Sequence, residues 1–171
     1  MKKINKKEKE KLFTEADIDN LSQKELNKKG LKISETWLYK IFLRSSYKLL
    51  GKPIAVFRIL KKSLAQLQRY ESVREFSSDL KEYVSTLTRM VQAYVKGDYK
   101  GISKTNAALS LAALIYFVSP FDLIPDFLVI GFLDDLALLT WVYNNYRGEI
   151  EAFKDWEDDK KTRVELMPPT E

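Results

Sequence analysis

The spacing of the apolar residues indicates the fold class of this chain. Between residues 73 and 95, and again between 136 and 156, large apolar residues recur every three or four positions with polar residues between them. That period matches one face of an α-helix, and no segment shows the alternation of a half-buried strand. Residues 107–118 are apolar on nearly every side, as in a helix surrounded by other helices. We therefore predict an all-α protein, folded as a compact helical bundle.

Helix start and stop signals organise the rest of the chain. Residues 22–25 have the pattern of a capping box, and Gly30 is expected to end the short helix that follows. A second helix is expected over 37–49, and Pro53 suits the first turn of a third. The chain is thus predicted to contain a lysine-rich, largely disordered N-terminus (1–30), a basic amphipathic helical arm (31–69), a helical domain (70–157) and a disordered tail (158–171).

Charge is unevenly distributed along the chain. Residues 30–70 contain nine Lys or Arg and one acid, which leaves a net charge of +8. Residues 105–147 contain one base and four aspartates, and residues 148–171 contain eight acids and four bases. This asymmetry predicts either an anionic partner for the front half or docking of one half on the other.

Two missing residue types exclude several kinds of chemistry. The chain has no cysteine, so disulfides, zinc–thiolate sites and cysteine nucleophiles are excluded. It also has no histidine, the commonest general base and metal ligand, so a Ser-His-Asp triad cannot form. We predict no catalytic residues and consider an enzyme the less favoured interpretation.

The sequence predicts no secretory signal, and it leaves a membrane-inserted hairpin as the less favoured alternative. The basic residues after Met1 are not followed by an apolar stretch. The longest uncharged run, 105–121, has 17 residues, the lower limit for a membrane span, and it leads directly into Asp122. A mean hydropathy of −0.31 also favours a buried core helix over a hairpin inserted into the membrane at 105–133. We expect a cytoplasmic or membrane-associated protein.

The segment 119–135, S-P-F-D-L-I-P-D-F-L-V-I-G-F-L-D-D, has the most unusual composition in the chain. Its first half resembles a helix start, with Ser119 as the N-cap, Pro120 at the first helical position and Asp122 at the third. Pro125 disfavours helix at the preceding residue and is expected to stop this turn at once. The segment is therefore predicted to be a broken-helix connector.

The second half of this segment is predicted to contain two further helix boundaries. Asp126 can cap another short turn, and Gly131 can end it. Asp134 or Asp135 is then expected to cap the long helix that follows, where a carboxylate meets the favourable end of the helix dipole. The favoured role of these polar residues is structural.

A metal site is the functional alternative for the same aspartates. Carboxylates are the preferred ligands of hard cations such as Mg²⁺ and Ca²⁺, and at least three must converge on one point. The candidate ligands are Asp122, Asp126, Asp134 and Asp135. Such a site would support ion binding or metal-assisted hydrolysis.

The run from Tyr116 to Asp126, followed by Gly131 and the pair Asp134-Asp135, resembles the signature of the YkvA-type family of bacterial proteins. Every polar and proline position of the pattern Y-x-x-S-P-[IF]-D-L-I-P-D, then G-x-x-D-D, is matched. A proline usual in the family is absent near Val129, and the looser resemblance covers about residues 70–157. It implies a compact helical domain of unknown function that is often suspected of membrane association.

The basic segment places aromatic and aliphatic residues among its cations. The residues predicted to contact a membrane or partner are Trp37, Lys40, Ile41, Phe42, Arg44 and Lys48. A basic amphipathic helix of this kind can bind anionic lipid or an acidic protein, although a solvated face is the commoner use of such residues. Nucleic acid is disfavoured, since no nucleic-acid-binding motif is present. We therefore favour a non-enzymatic helical interaction module.

Overall fold

The protein is an α-helical bundle. The computed structural model describes residues 22–73, 78–119 and 128–166, and these ranges form seven helices and no strand. The helices are α1 (Gln23–Ser34), α2 (Trp37–Leu49), α3 (Pro53–Val73), α4 (Ser78–Lys96), α5 (Lys104–Val118), α6 (Leu128–Asn145) and α7 (Arg147–Leu166). The predicted all-α class is confirmed.

Helix α5 forms the centre of the bundle. It packs against α2, α3, α4 and α6, as expected for a helix that is apolar on nearly every side. Its buried residues are largely small or aliphatic, among them Ala108, Ala112 and Leu114. Ser103 caps its first turn by accepting a hydrogen bond from the backbone N–H of Asn106. Small side chains let neighbouring helices approach closely, so α5 can contact four of them.

The two basic helices form part of the bundle wall. We had predicted an arm preceding the bundle, but both α2 and α3 pack on α5, and α3 also packs on α4. Tyr39 of α2 is only 1% exposed, and its hydroxyl donates a hydrogen bond of 3.1 Å to the carbonyl oxygen of Leu109 in α5. A buried aromatic residue with a satisfied hydroxyl anchors α2 to the core.

Helix α1 differs from its predicted course. The capping box at Ser22 and Glu25 is present, but the helix does not end at Gly30 and continues to Ser34. Gly30 is buried where α1 crosses α6, and a β-carbon at this position would clash with the backbone carbonyl oxygen of Ala137. The glycine thus serves the close approach of two helices. The short helix predicted after the capping box is therefore present and longer than expected, although the segment 1–30 was predicted to be largely disordered.

The last helix also extends beyond its predicted end. Disorder was predicted from residue 158, yet α7 continues to Leu166. Lys160 contributes to holding this part, because its ammonium lies 4.9 Å from the centre of the Trp156 ring and 4.0 Å from an Asp98 carboxylate oxygen. Residues 1–21 and 167–171, also predicted to be disordered, lie outside the described ranges.

Candidate functional site

The motif segment is only partly described. Ser119 and residues 128–135 have a described backbone, whereas Pro120, Asp122, Pro125 and Asp126 lie outside the described ranges. The predicted broken-helix geometry at those four residues therefore stays a prediction. The flanking residues locate the two ends of the connector, at the end of α5 and the start of α6.

Ser119 ends a helix in the structure. It is the C-cap of α5, and its backbone N–H donates to the carbonyl oxygen of Tyr116. The turn that it was predicted to cap begins at Pro120, outside the described ranges, so the N-cap stays a prediction. Its hydroxyl donates a hydrogen bond of 2.6 Å to the carbonyl oxygen of Ile115. A serine hydroxyl can bond back to the preceding turn, so the hydroxyl is here used by the helix before it.

Gly131, Asp134 and Asp135 do not mark helix boundaries. Helix α6 begins at Leu128 and runs through all three residues, so the predicted end at Gly131 and the predicted cap at Asp134 or Asp135 are wrong. Leu, Phe and Ile around the glycine allow a continuous helix, and one interior glycine costs only about 1 kcal/mol. The two carboxylates consequently lie beyond the first turn, away from the free backbone N–H groups.

Asp134 is bound by a residue from the other end of the chain. The ammonium of Lys29 in α1 lies 2.8 Å from a carboxylate oxygen of Asp134, and both side chains are partly exposed. Asp135 is 8% exposed and faces the bundle. Burial, together with the charges of Asp134 and Asp135, raises the pKa of Tyr116 to about 12. We call Lys29, Tyr116, Asp134 and Asp135 the aspartate–tyrosine cluster.

The metal-site hypothesis is untested by this geometry. Among the described residues, no three acidic side chains are grouped so that they could hold a cation. Two of the four candidate ligands, Asp122 and Asp126, lie outside the described ranges. Asp134 already has an ammonium partner, which a cation at this carboxylate would have to displace. Binding of Mg²⁺ or Ca²⁺ at the four aspartates therefore stays a prediction.

A second candidate site is the solvent-facing side of α2. Trp37 is 72% exposed and Ile41 is 46% exposed, and the basic residues Lys40, Arg44 and Lys48 are exposed as well. At 100° per residue, Trp37, Ile41, Arg44 and Lys48 lie within one quarter of the helix circumference. We call Trp37, Lys40, Ile41, Arg44 and Lys48 the α2 outer face.

One predicted contact residue has a different role. Phe42 was predicted to belong to the contact surface, but it is partly buried and packs against the core. Its ring meets the Tyr116 ring edge to face, with centroids 6.4 Å apart. Phe42 therefore joins α2 to the aspartate–tyrosine cluster.

The cations of this surface have no ion-pair partner within the described part of the chain. No basic residue of α2 or of the α2–α3 turn lies within 4.0 Å of a carboxylate of a described residue. The same is true of Arg58, Lys61 and Lys62 in α3. These cations are Lys40, Arg44, Lys48, Lys52, Arg58, Lys61 and Lys62. Ile54, near the start of α3, is a further exposed apolar residue, with 78% of its surface accessible.

Sequence reasoning missed the contribution of α1. It identified neither Lys29 as the partner of Asp134 nor Gly30 as a packing residue. A signal was present, because Leu26, Gly30 and Ile33 recur at helical spacing within a lysine-rich segment. That three-residue stripe is buried in the structure.

Two comparisons with known proteins return a match for this chain. A family model described as a protein of unknown function (DUF1232) matches residues 107–141, which include most of α5 and α6. The chain is also 30% identical over 76 residues to the "Uncharacterized membrane protein YkvA" of Bacillus subtilis (strain 168). That match covers 44% of this chain and 72% of the relative. No solved structure matches.

The described helices are too short or too polar to span a bilayer. Within residues 22–73, 78–119 and 128–166, none of the helices combines the length and the apolar character needed to cross a membrane.

Proposed function

Since the chain belongs to the YkvA-type family of unknown function, we propose that it is a non-enzymatic helical module that binds an anionic membrane surface through the α2 outer face. The relative is named a membrane protein, which supports a membrane role without giving its mode. One observation carries the proposal: a highly exposed tryptophan lies on the same helix face as cations that have no carboxylate partner among the described residues.

The chemistry of this face suits the interfacial region of a bilayer. Tryptophan is favoured at headgroup depth, where its ring meets apolar chains and its N–H meets water. Each basic residue near an anionic surface contributes about 1 kcal/mol. Lys40, Arg44 and Lys48 flank Trp37 and Ile41, so charge attraction and apolar insertion act at the same place. The bundle needs no spanning helix to bind in this way.

Co-sedimentation with lipid vesicles tests the proposal. The full chain should bind vesicles of phosphatidylcholine that contain phosphatidylglycerol, and binding should weaken as salt is added. Combined K40E, R44E and K48E changes should weaken binding about 100-fold or more, because three favourable contributions of about 1 kcal/mol are lost. Trp37→Ala should weaken binding through lost insertion.

A charge-matched variant provides the control. Lys100, Lys104 and Lys161 are also exposed but lie outside the α2 outer face, and K100E, K104E and K161E change the net charge by the same amount. This variant should keep most of the binding. Equal loss in both triple variants, or equal binding to neutral vesicles, would contradict the proposal. Absence of vesicle binding would leave an acidic protein as the partner to examine.

A further inference from the structure

Helix α1 is attached to the bundle almost entirely through α6. Its buried residues are Leu26, Gly30 and Ile33, and Gly30 rests on the Ala137 backbone beside Trp141. The Lys29–Asp134 ion pair lies on the same crossing, and a hydrogen bond of 2.9 Å joins Gln23 to Asp79 of α4. We call Asp134, Ala137 and Trp141 the α6 groove. α1 thus carries a complete set of groups for docking in this groove.

Two residues separate α1 from α2, and only one of them departs from helical backbone angles. Glu35 already has helical angles (φ −83°, ψ −11°), whereas Thr36 is extended (φ −67°, ψ 150°). The Thr36 hydroxyl donates to the carbonyl oxygen of Ile33 at 2.7 Å and accepts from the backbone N–H of Tyr39 at 3.4 Å. A rotation of ψ at Thr36 into the helical range would join α1 and α2 into one helix from Gln23 to Leu49.

Joining the two helices would turn the docking residues of α1 away from their own bundle. In one continuous helix, Leu26, Gly30, Ile33, Trp37 and Ile41 follow one another at spacings of three or four and share one face. Tyr39, which is buried against α5, lies on the opposite face. With α2 held in place by Tyr39, the α1 residues could not return to their own α6 groove.

We propose that two copies of this chain exchange α1, each inserting its α1 into the α6 groove of the other. Exchange refills both grooves with a helix that has glycine at the crossing and lysine beside Asp134. A lipid surface could cover the freed α1 but would leave the groove of α6 exposed to water. Trp37 follows directly after the residue that rotates, and it stays on the same side of the joined helix as the transferred α1 residues. Such an exchange is reciprocal and closes on itself as a two-fold dimer.

Cysteine pairing in the full chain tests the exchange directly, because the chain has no cysteine of its own. Chains with Lys29→Cys and chains with Asp134→Cys are unfolded together, refolded at high concentration and oxidised. Exchange predicts at least a tenfold excess of the mixed disulfide over either self-paired disulfide. Lys28→Cys, on the exposed side of α1, is the control and should show no such excess with Asp134→Cys. Statistical pairing in both mixtures would overturn the proposal.

Substitution of Thr36, the hinge residue between α1 and α2, provides a second, independent test. Thr36→Ala removes the cap that stabilises the break and should raise the dimer fraction, measured by light scattering after size exclusion, at least fivefold. Ser103→Ala removes an equivalent cap from α5 and should not raise it. Adding Gly30→Leu to Thr36→Ala should abolish the dimer, since neither groove can then accept α1. A dimer that survives Gly30→Leu, or that forms only on anionic vesicles, would contradict the exchange.

Discussion

At the scale of single residues, two glycines in helices have opposite roles. Gly30 lies against the Ala137 backbone, whereas nothing lies within 4 Å of the position that a β-carbon would take at Gly148. Gly30→Ala should lower the free energy of unfolding by about 1–2 kcal/mol, because overpacking outweighs the gain in helix propensity. Gly148→Ala should raise it by about 0.5–1 kcal/mol, because propensity alone changes.

Urea denaturation of both variants and the parent at one pH measures the two effects. Both variants replace glycine by alanine, so the difference between their free energies of unfolding measures the cost of crowding where α1 crosses α6. A stabilising Gly30→Ala change would contradict the close approach and, with it, the docked position of α1.

At the scale of elements, the connector between α5 and α6 contains Asp122 and Asp126, for which a structural role and a metal-binding role are the two alternatives. We expect a structural role first, in which short carboxylates accept hydrogen bonds from backbone N–H groups left free by the prolines. Asp126→Ala should then lower the free energy of unfolding by about 1–3 kcal/mol, with Asp126→Asn milder because it keeps an oxygen acceptor.

Thermal melts with and without Mg²⁺ or Ca²⁺ separate this role from a metal site. A structural carboxylate predicts a lower melting temperature for Asp126→Ala that is indifferent to the cation. A bound cation predicts a metal-dependent gain in the parent, which the variant lacks. Asp122→Ala provides the parallel test at the other connector carboxylate.

At the scale of the whole molecule, the basic helices and the motif helices should unfold together. Tyr39 fills the core between α2 and α5, so Tyr39→Ala should cost about 3–5 kcal/mol and destabilise α4 to α7 as well as α2. Hydrogen exchange of α5 and α6 amides measures this effect. Unchanged protection there would indicate that residues 31–69 unfold separately, as an arm would.

The charge asymmetry is likewise resolved only in the folded molecule. Docking of the front half on the back half accounts for Lys29, which pairs with Asp134. It does not account for Lys40, Arg44 or Lys48, which face away from the bundle and have no carboxylate partner among the described residues. Docking of one half on the other therefore applies to Lys29, whereas an anionic partner for Lys40, Arg44 and Lys48 stays a prediction.

The sequence alone determined the features that depend on neighbours along the chain. Helix periodicity, the capping box at Ser22 and the all-round apolar character of α5 follow from residues three or four positions apart. The family resemblance likewise was read from one stretch of the chain, Tyr116 to Asp135. Local spacing was sufficient for these features because helix formation and capping are local interactions.

Tertiary structure decided which faces meet. The sequence assigned both Trp37 and Phe42 to the contact surface, but Phe42 and Tyr39 pack toward the core and Trp37 stays exposed. Helix α2 has large apolar residues on several sides, so hydrophobicity could not select between them, whereas the hydroxyl of Tyr39 finds its acceptor only on α5. The sequence predicted that Gly30 ends a helix, whereas in the structure Gly30 packs against the backbone of α6. These choices depend on surfaces about a hundred residues apart, which no local pattern encodes.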